Sequence, residues 1–528
     1  MALEMVDDPQ DQQDFNDNDD SGGGGGGGNF PGGGGGGLLN FLPLLLSLFG
    51  GRGGKGGMLL LLLIGAGAFF LLRNKSCSSA TNNISNLFSS SGYNFNPDEF
   101  KKANVYEGLE DDNVKNPLPE AVSLAKYAPS PGDQGTQGSC VAWSSGYCGR
   151  TILEAAANRQ DPNALKFSPA YLYNNIALED CQGSYIQRAM EFMQRTGAVP
   201  LQQFPYDQNS CNDPGSELRG QAAQYKIHGF TRLTESDDIN GLNIRAVKEH
   251  LAKDAPVIIG MMVGGTFMQD MMGQKVWHPS GMDRNQMGFG GHAMCVIGYN
   301  DRIEGGAFEI QNSWGPQWGE NGRAFVRYRD FKQFVREAYG MDPLPKQGAA
   351  LNIGLECNVG LLNNDTKQYI PLRVGNANVF NTTAPIKKGT KFKIEIKNAL
   401  ECYIYLFTEK ADKSSGVLFP YKPIHSPYCG ITGYRLFPRS ESIRADSIGN
   451  KDYMGIIVSK QPIDYNAMNT AINNSKQPTY TARFNEAIAA NSIGNVKYAV
   501  TNNGAVYFKA SAAEQKNIVG CVVEIDKQ

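Results

Sequence analysis

Asp133-Gln-Gly-Thr-Gln-Gly-Ser-Cys140-Val-Ala-Trp-Ser144 is the stretch that decides how this chain folds. Cys140 follows Gly138 and Ser139 and leads into Trp143, Tyr147, Ile152 and Leu153, a spacing that predicts one amphipathic helix. Ser139 is placed to act as its N-cap. A thiol in the first helical turn faces free N–H groups and the positive end of the dipole, which favours thiolate over thiol. The glycines allow backbone, or a substrate, to approach the sulfur closely. Gln134, six residues upstream, carries an amide N–H₂ able to reach an oxyanion forming beside that sulfur. Taken alone, the stretch reads more readily as a buried structural cysteine in a Gly-rich turn.

Two further stretches reverse that preference. Gly290-Gly-His292-Ala-Met-Cys-Val-Ile-Gly-Tyr299 puts a histidine on an apolar, strand-like run after a glycine pair. Ile310-Gln-Asn312-Ser-Trp314-Gly-Pro-Gln-Trp-Gly319 ends a short strand on an asparagine, then Ser, Trp and Gly. With Leu118-Pro119-Glu120 ahead of Gln134, the region from about 118 to 345 resembles the papain-like cysteine peptidases, whose site order is Gln, Cys, His, Asn. His292 lies 152 residues after Cys140, and Asn312 lies 20 after His292, both close to the family spacing.

The resemblance implies an α+β fold of two lobes, one helical and one β-rich, with the site in the cleft between them. Ser168-Pro169 opens a second helix, a third runs from about Tyr185 to Arg195, and strands are expected at Val257–Val263, Ala293–Tyr299, Ala307–Ile310 and Ala324–Tyr328. His292 is then the base for the Cys140 thiol, Asn312 orients its ring, and Gln134 with the Cys140 N–H stabilises the oxyanion. Trp314 and Gly183 are the shielding and substrate-binding positions. The resemblance also implies a Cys181–Cys211 disulfide, which requires an oxidising compartment. A second bridge common in the family is absent, because Gln137 stands where its cysteine would be. A ligase or transpeptidase using the same acyl-enzyme, and an inactive peptidase-like binding module, are the alternatives. Each site residue alone also fits an ordinary structural role; the ordered set of four points to catalysis.

The first 117 residues carry none of this. Residues 1–20 hold seven Asp, one Glu and no Lys or Arg, and residues 22–37 are nearly all Gly, so 1–37 is expected as a solvated, disordered tail. Residues 38–75 are expected as a membrane-anchor region, with a span at about 56–72. Seventeen uncharged residues reach about 25 Å at roughly 1.5 Å per residue, the short end of a bilayer crossing. Residues 76–117 then form a linker or stalk, too short for the helical inhibitory prosegment usual in the resembled family and without its periodic charge. The expectation is a single-pass membrane protein with its catalytic domain extracytoplasmic, periplasmic or at the cell surface.

A net charge of −3 with no basic, aromatic-laced cluster argues against nucleic acid as a partner. No HExxH, CxxC or clustered Cys/His spacing occurs, so neither metal nor cofactor is expected. His228, His250, His278 and His425 lack the context of His292, and His250 is expected at the surface. From residue 360 to 528, alternation such as Phe392, Ile394 and Ile396 against Lys391, Lys393 and Glu395 predicts an all-β antiparallel sandwich. It resembles bacterial accessory domains and carries no chemical motif; a protein partner is its default role. Expected partners overall are protein or peptide substrates and a lipid bilayer.

Overall fold

The computed structural model describes residues 3–7, 92–234, 241–345, 354–513 and 515–528. Cys140–Ala142, Trp143–Arg150 and Thr151–Asn158 run on as one helix whose middle section has π-type hydrogen bonding. It is buried nearly all round rather than amphipathic, and such π segments recur where a helix serves a site. Two more helices pack on it. Pro169–Ile176 starts with the Ser168 hydroxyl accepting from the Tyr171 N–H, and Ile186–Arg195 buries Ile186, Ala189, Met190 and Met193.

Opposite them stands an antiparallel sheet in the order Phe230–Arg232, Val335–Met341, Val257–Val263, Gly290–Asn300, Ala307–Gln311, Arg323–Arg327. The central Val257–Val263 run is apolar throughout because both its faces are covered. The expected strand at Ala293 begins earlier, at Gly290, so His292 lies within the ladder, paired with Met261. These elements give the expected α+β architecture of helical and sheet lobes.

The C-terminal part is two sheets sharing one core. Leu355, Val359, Ile394 and Phe437 of one sheet meet Ile404, Leu406, Met454 and Val523 of the other. The all-β expectation needs two corrections here. Val379–Thr382 pairs with Ile518–Asp526 in parallel, and helices Tyr465–Asn474 and Tyr480–Ile488 cover the outer face of the second sheet. Both helices carry readable caps, Asp464 and Thr479. Nor is Lys391–Asn398 half-exposed: Lys393 and Glu395 are buried, Glu395 beneath Lys115 and Tyr369.

Lys115 belongs to the stretch 76–117 expected as a stalk, and that expectation is corrected from residue 92 on; residues 76–91 lie outside the described residues. Residues 92–116 are sewn into both parts of the molecule. Phe100, Tyr106 and Leu109 are buried, and Val105 forms backbone bridges to Arg232 on one side and His425 on the other. The buried Arg435 guanidinium donates to the Glu107 carbonyl at 2.9 Å and to Asn398 Oδ1 at 2.7 Å. Three large buried anchors in a polar stretch outweigh its loop-like composition. The disordered-tail expectation also fails at Leu3–Asp7, a strand paired antiparallel with Glu441–Ala445, where Leu3 enters the C-terminal core.

The single-pass assignment is overturned as well: among the described residues no helix is long and apolar enough to cross a membrane. The 56–72 run on which that assignment rested lies outside the described residues.

His250, expected at the surface, is fully buried, its Nδ1 at 2.9 Å from the Ala246 carbonyl and its ring edge-on to Tyr106. Gly340 makes the room, since a Cβ there would fall 2.3 Å from the imidazole. Burial above all, with Arg435 adding to it, pushes His250 down to about 4. The unfolded chain therefore binds a proton near pH 6.5 that the folded chain refuses until about pH 4. Stability from this group is complete above pH 6.5 and is lost as pH falls toward 4, by about 3 kcal/mol in all. His250→Gln should flatten the fall in urea midpoint between pH 7 and 4.5. The contributions of Glu249, Tyr106 and Arg435 persist in both chains and cancel in the comparison.

Candidate active site

Cys140 opens the long helix, and the backbone N–H of Ala293 donates to its sulfur at 3.4 Å. Because Ala293 follows His292 on the strand, this contact brings the helix start and the histidine together. Ser139 does not cap the helix: its hydroxyl shares a 2.7 Å hydrogen bond with Tyr206. Burial opposes the thiolate expected from the helix position. Burial pushes Cys140 up to about 12, against N–H groups of Ala293, Val141 and Cys140 itself that favour the anion.

His292 Nε2 lies 2.7 Å from Asn312 Oδ1, which also accepts the Ser313 N–H at 2.7 Å. An amide oxygen only accepts, so Nε2 carries the hydrogen and Nδ1 is the nitrogen that can exchange a proton with the thiol. Trp314 stacks on the imidazole, with centroids 4.4 Å apart and planes 25° apart, and so covers the His292–Asn312 bond. Gln134 joins the same group. Its Oε1 accepts from Ser313 Oγ at 2.7 Å and its Nε2 donates to the Gln137 carbonyl at 2.9 Å. Its backbone N–H reaches the Ser313 carbonyl at 2.9 Å. One amide hydrogen of Gln134 remains for another acceptor.

Gly183 sits in a loop shaped by the Cys181–Cys211 disulfide and by Tyr173, whose hydroxyl donates to the Cys181 carbonyl at 2.6 Å and accepts the Gly183 N–H at 3.3 Å. Gln137, at the position of the missing second bridge, instead donates to the Ser210 carbonyl at 2.9 Å. Cys402, Cys429 and Cys521 are free and buried. Sequence reasoning did not single out Ser313, Tyr173 or Tyr206. Ser313 was visible inside the motif quoted for its neighbours, whereas Tyr173 had no signal beyond helix periodicity.

A run from outside the expected catalytic region pairs with the loop that holds Gly183. Tyr93 forms a parallel bridge with Ser184, the Ser184 N–H donating to Gly92 O at 2.9 Å and the Asn94 N–H to Ser184 O at 3.0 Å. Cys140, His292 and Gln134 are each 0% exposed.

Comparison with known proteins bears directly on this arrangement. Residues 119–339 match the model of the papain family of cysteine proteases. They form a papain-family domain. Among curated relatives, cathepsin B-like CP2 of Giardia intestinalis is 29% identical over 36% of this chain and 61% of its own. An uncharacterized peptidase C1-like protein of Acanthamoeba polyphaga mimivirus is 28% identical over 43% of this chain and 71% of its own. The chain thus spans under two thirds of the Giardia relative. Among solved structures, xylellain, a cysteine protease from Xylella fastidiosa, aligns at 23% identity and a TM-score of 0.40, covering 48% of this chain and 97% of that one.

Proposed function

We propose that this chain is a cysteine endopeptidase that hydrolyses peptide bonds of proteins or peptides through a thioester acyl-enzyme. The observation that carries the proposal is the His292 Nε2–Asn312 Oδ1 pair at 2.7 Å, beside a sulfur held by the next residue's N–H. In this reading the Cys140 proton passes to His292 Nδ1 and the sulfur attacks the scissile carbonyl carbon. The oxyanion is met by the Cys140 N–H and the remaining amide hydrogen of Gln134. As the tetrahedral species collapses, the C–N bond breaks and His292 hands its proton to the leaving amine. Water, deprotonated by His292, then cleaves the thioester and the thiol is restored. Residues 118–345 act as the catalytic module and 360–528 as an accessory one, joined through 92–116.

Asn312→Ala should lower kcat by about tenfold to a hundredfold, less than loss of the base itself, because Trp314 still stacks on the ring. An Asn312→Ala chain as dead as Cys140→Ala, with its fold intact, would contradict an orienting role. The function itself is tested by cleavage of a peptide library under mildly reducing conditions. The chains compared are the full chain with and without Cys140→Ala. Cleavage that disappears with Cys140 is expected. Silence in both chains, with no uptake of a thiol-directed epoxide, would overturn the proposal.

A further inference from the structure

Gln134 sits in a loop, residues 133–139, that contains no cysteine and so has no covalent tie of its own. A second loop, residues 206–211, grips it instead. The Tyr206 hydroxyl donates to the Gln134 carbonyl at 2.7 Å. Gln208 Oε1 accepts the Thr136 N–H at 2.8 Å, and Gln137 Nε2 donates to the Ser210 carbonyl at 2.9 Å. The approach is close: Gly135 has φ +60°, and a Cβ there would fall 1.8 Å from Gln208 Oε1.

The gripping loop is itself fixed on both sides. The Ser168 hydroxyl donates to the Phe204 carbonyl at 2.5 Å before it, and Cys211 is bridged to Cys181 at its end. Between them, Asp207 Oδ1 accepts the Asn209 N–H at 2.9 Å and the Asp207 carbonyl accepts the Ser210 N–H at 3.2 Å. That Asx-type turn sends the chain back toward the first loop.

Tyr206 gives its one hydroxyl hydrogen to Gln134, so in its 2.7 Å contact with Ser139 the serine donates. Ser139 thereby fixes the rotation of the tyrosine hydroxyl, which accounts for a serine at the helix start that caps nothing. Trp143 packs edge-on to the Tyr206 ring, with centroids 4.9 Å apart. The Gln134 backbone is thus pinned at its N–H by the Ser313 carbonyl and at its own carbonyl by Tyr206. One of its side-chain amide hydrogens goes to the Gln137 carbonyl, and Gln137 is held by Ser210. The direction of the other amide hydrogen therefore depends on the 206–211 loop.

We infer that Tyr206 is a positioning residue for the oxyanion site, its hydroxyl holding the Gln134 backbone so that the remaining amide hydrogen meets the developing oxyanion. This rests on the peptidase reading and adds to it a residue that touches neither substrate nor reacting atoms. An oxyanion donor is effective because it is already aimed before charge develops. Loss of the Tyr206 hydroxyl leaves Gln134 in place but less well aimed.

The test separates oxyanion binding from reactivity of the sulfur. Full-length wild type and Tyr206→Phe are compared in peptide hydrolysis, in inhibition by a peptide aldehyde, and in alkylation of Cys140 by iodoacetamide. The sulfur adds to the aldehyde carbon, the carbonyl π pair moves onto oxygen and the thiol proton passes to His292, so the adduct carries the oxyanion without turnover. Iodoacetamide is attacked at its saturated carbon and loses iodide, and no oxyanion forms. Tyr206→Phe should lower kcat about tenfold at nearly unchanged KM and weaken the aldehyde by a like factor, the upper scale of one net hydrogen bond. Its alkylation rate should stay within about twofold of wild type, because the sulfur and its base are untouched. In a Gln134→Ala background the phenylalanine penalty on the aldehyde should shrink to about twofold or less, since the donor it serves is gone. An aldehyde constant unchanged by Tyr206→Phe, an equal penalty on alkylation, or full additivity with Gln134→Ala would overturn the inference. A wild-type chain that binds no aldehyde would overturn it as well. A tenfold aldehyde ratio in chains that cleave no peptide would uphold the role of Tyr206 and sink the peptidase reading.

Discussion

Cys140→Ala and His292→Ala should each bring peptide hydrolysis to background, a loss of about 10⁴-fold or more in kcat/KM. The two losses should not add in the double variant, because sulfur and imidazole act as one unit: the nucleophile is made by the proton transfer. Cys140 contributes only one sulfur to the core, and its removal should leave the circular dichroism spectrum and Tm near those of the parent. His292→Ala is more invasive, since it removes the ring under Trp314 and leaves Asn312 Oδ1 with only the Ser313 N–H. A second readout separates chemistry from damage. His292→Ala should slow alkylation of Cys140 near neutral pH and restore it at high pH, where the thiol ionises without a base. A misfolded site would show no such recovery.

Gln134→Ala should cost about a hundredfold or more in kcat with little change in KM, the scale of one lost oxyanion donor. The structure adds a complication and its remedy. Gln134 also accepts from Ser313 Oγ and donates to the Gln137 carbonyl, so alanine removes positioning bonds along with the donor. Gln134→Glu keeps an acceptor for Ser313 but has no N–H to offer. If the amide hydrogen matters, glutamate should be as slow as alanine. A glutamate variant near wild-type rate would assign Gln134 to holding Ser313, not to the oxyanion.

What was legible in the chain was local chemistry joined by order. Cys140, His292, Asn312 and Gln134 sit at backbone features with strong signals: a glycine turn into a helix, a glycine-led strand and a strand-ending Asn-Ser-Trp-Gly. The structure brings their neighbourhoods together as that order implies. What was not legible depended on who packs against whom. Residues 92–116 read as a linker because Tyr93, Phe100, Tyr106 and Leu109 are spaced at no regular period, each answering to a different surface. His250 read as exposed because one glycine 90 residues away, Gly340, decides that it has space inside. The same holds for Cys140: helix position alone argues for thiolate, but burial works against the anion.

The central claim is that Cys140 forms the acyl-enzyme. It is tested most directly by acid-quenching the full chain within its first turnovers of a peptide ester and measuring the intact mass. The account predicts a single acyl adduct that maps to Cys140, is released by hydroxylamine and is absent from the Cys140→Ala chain. Steady hydrolysis with no adduct at Cys140, or an adduct mapping to another residue, would contradict it.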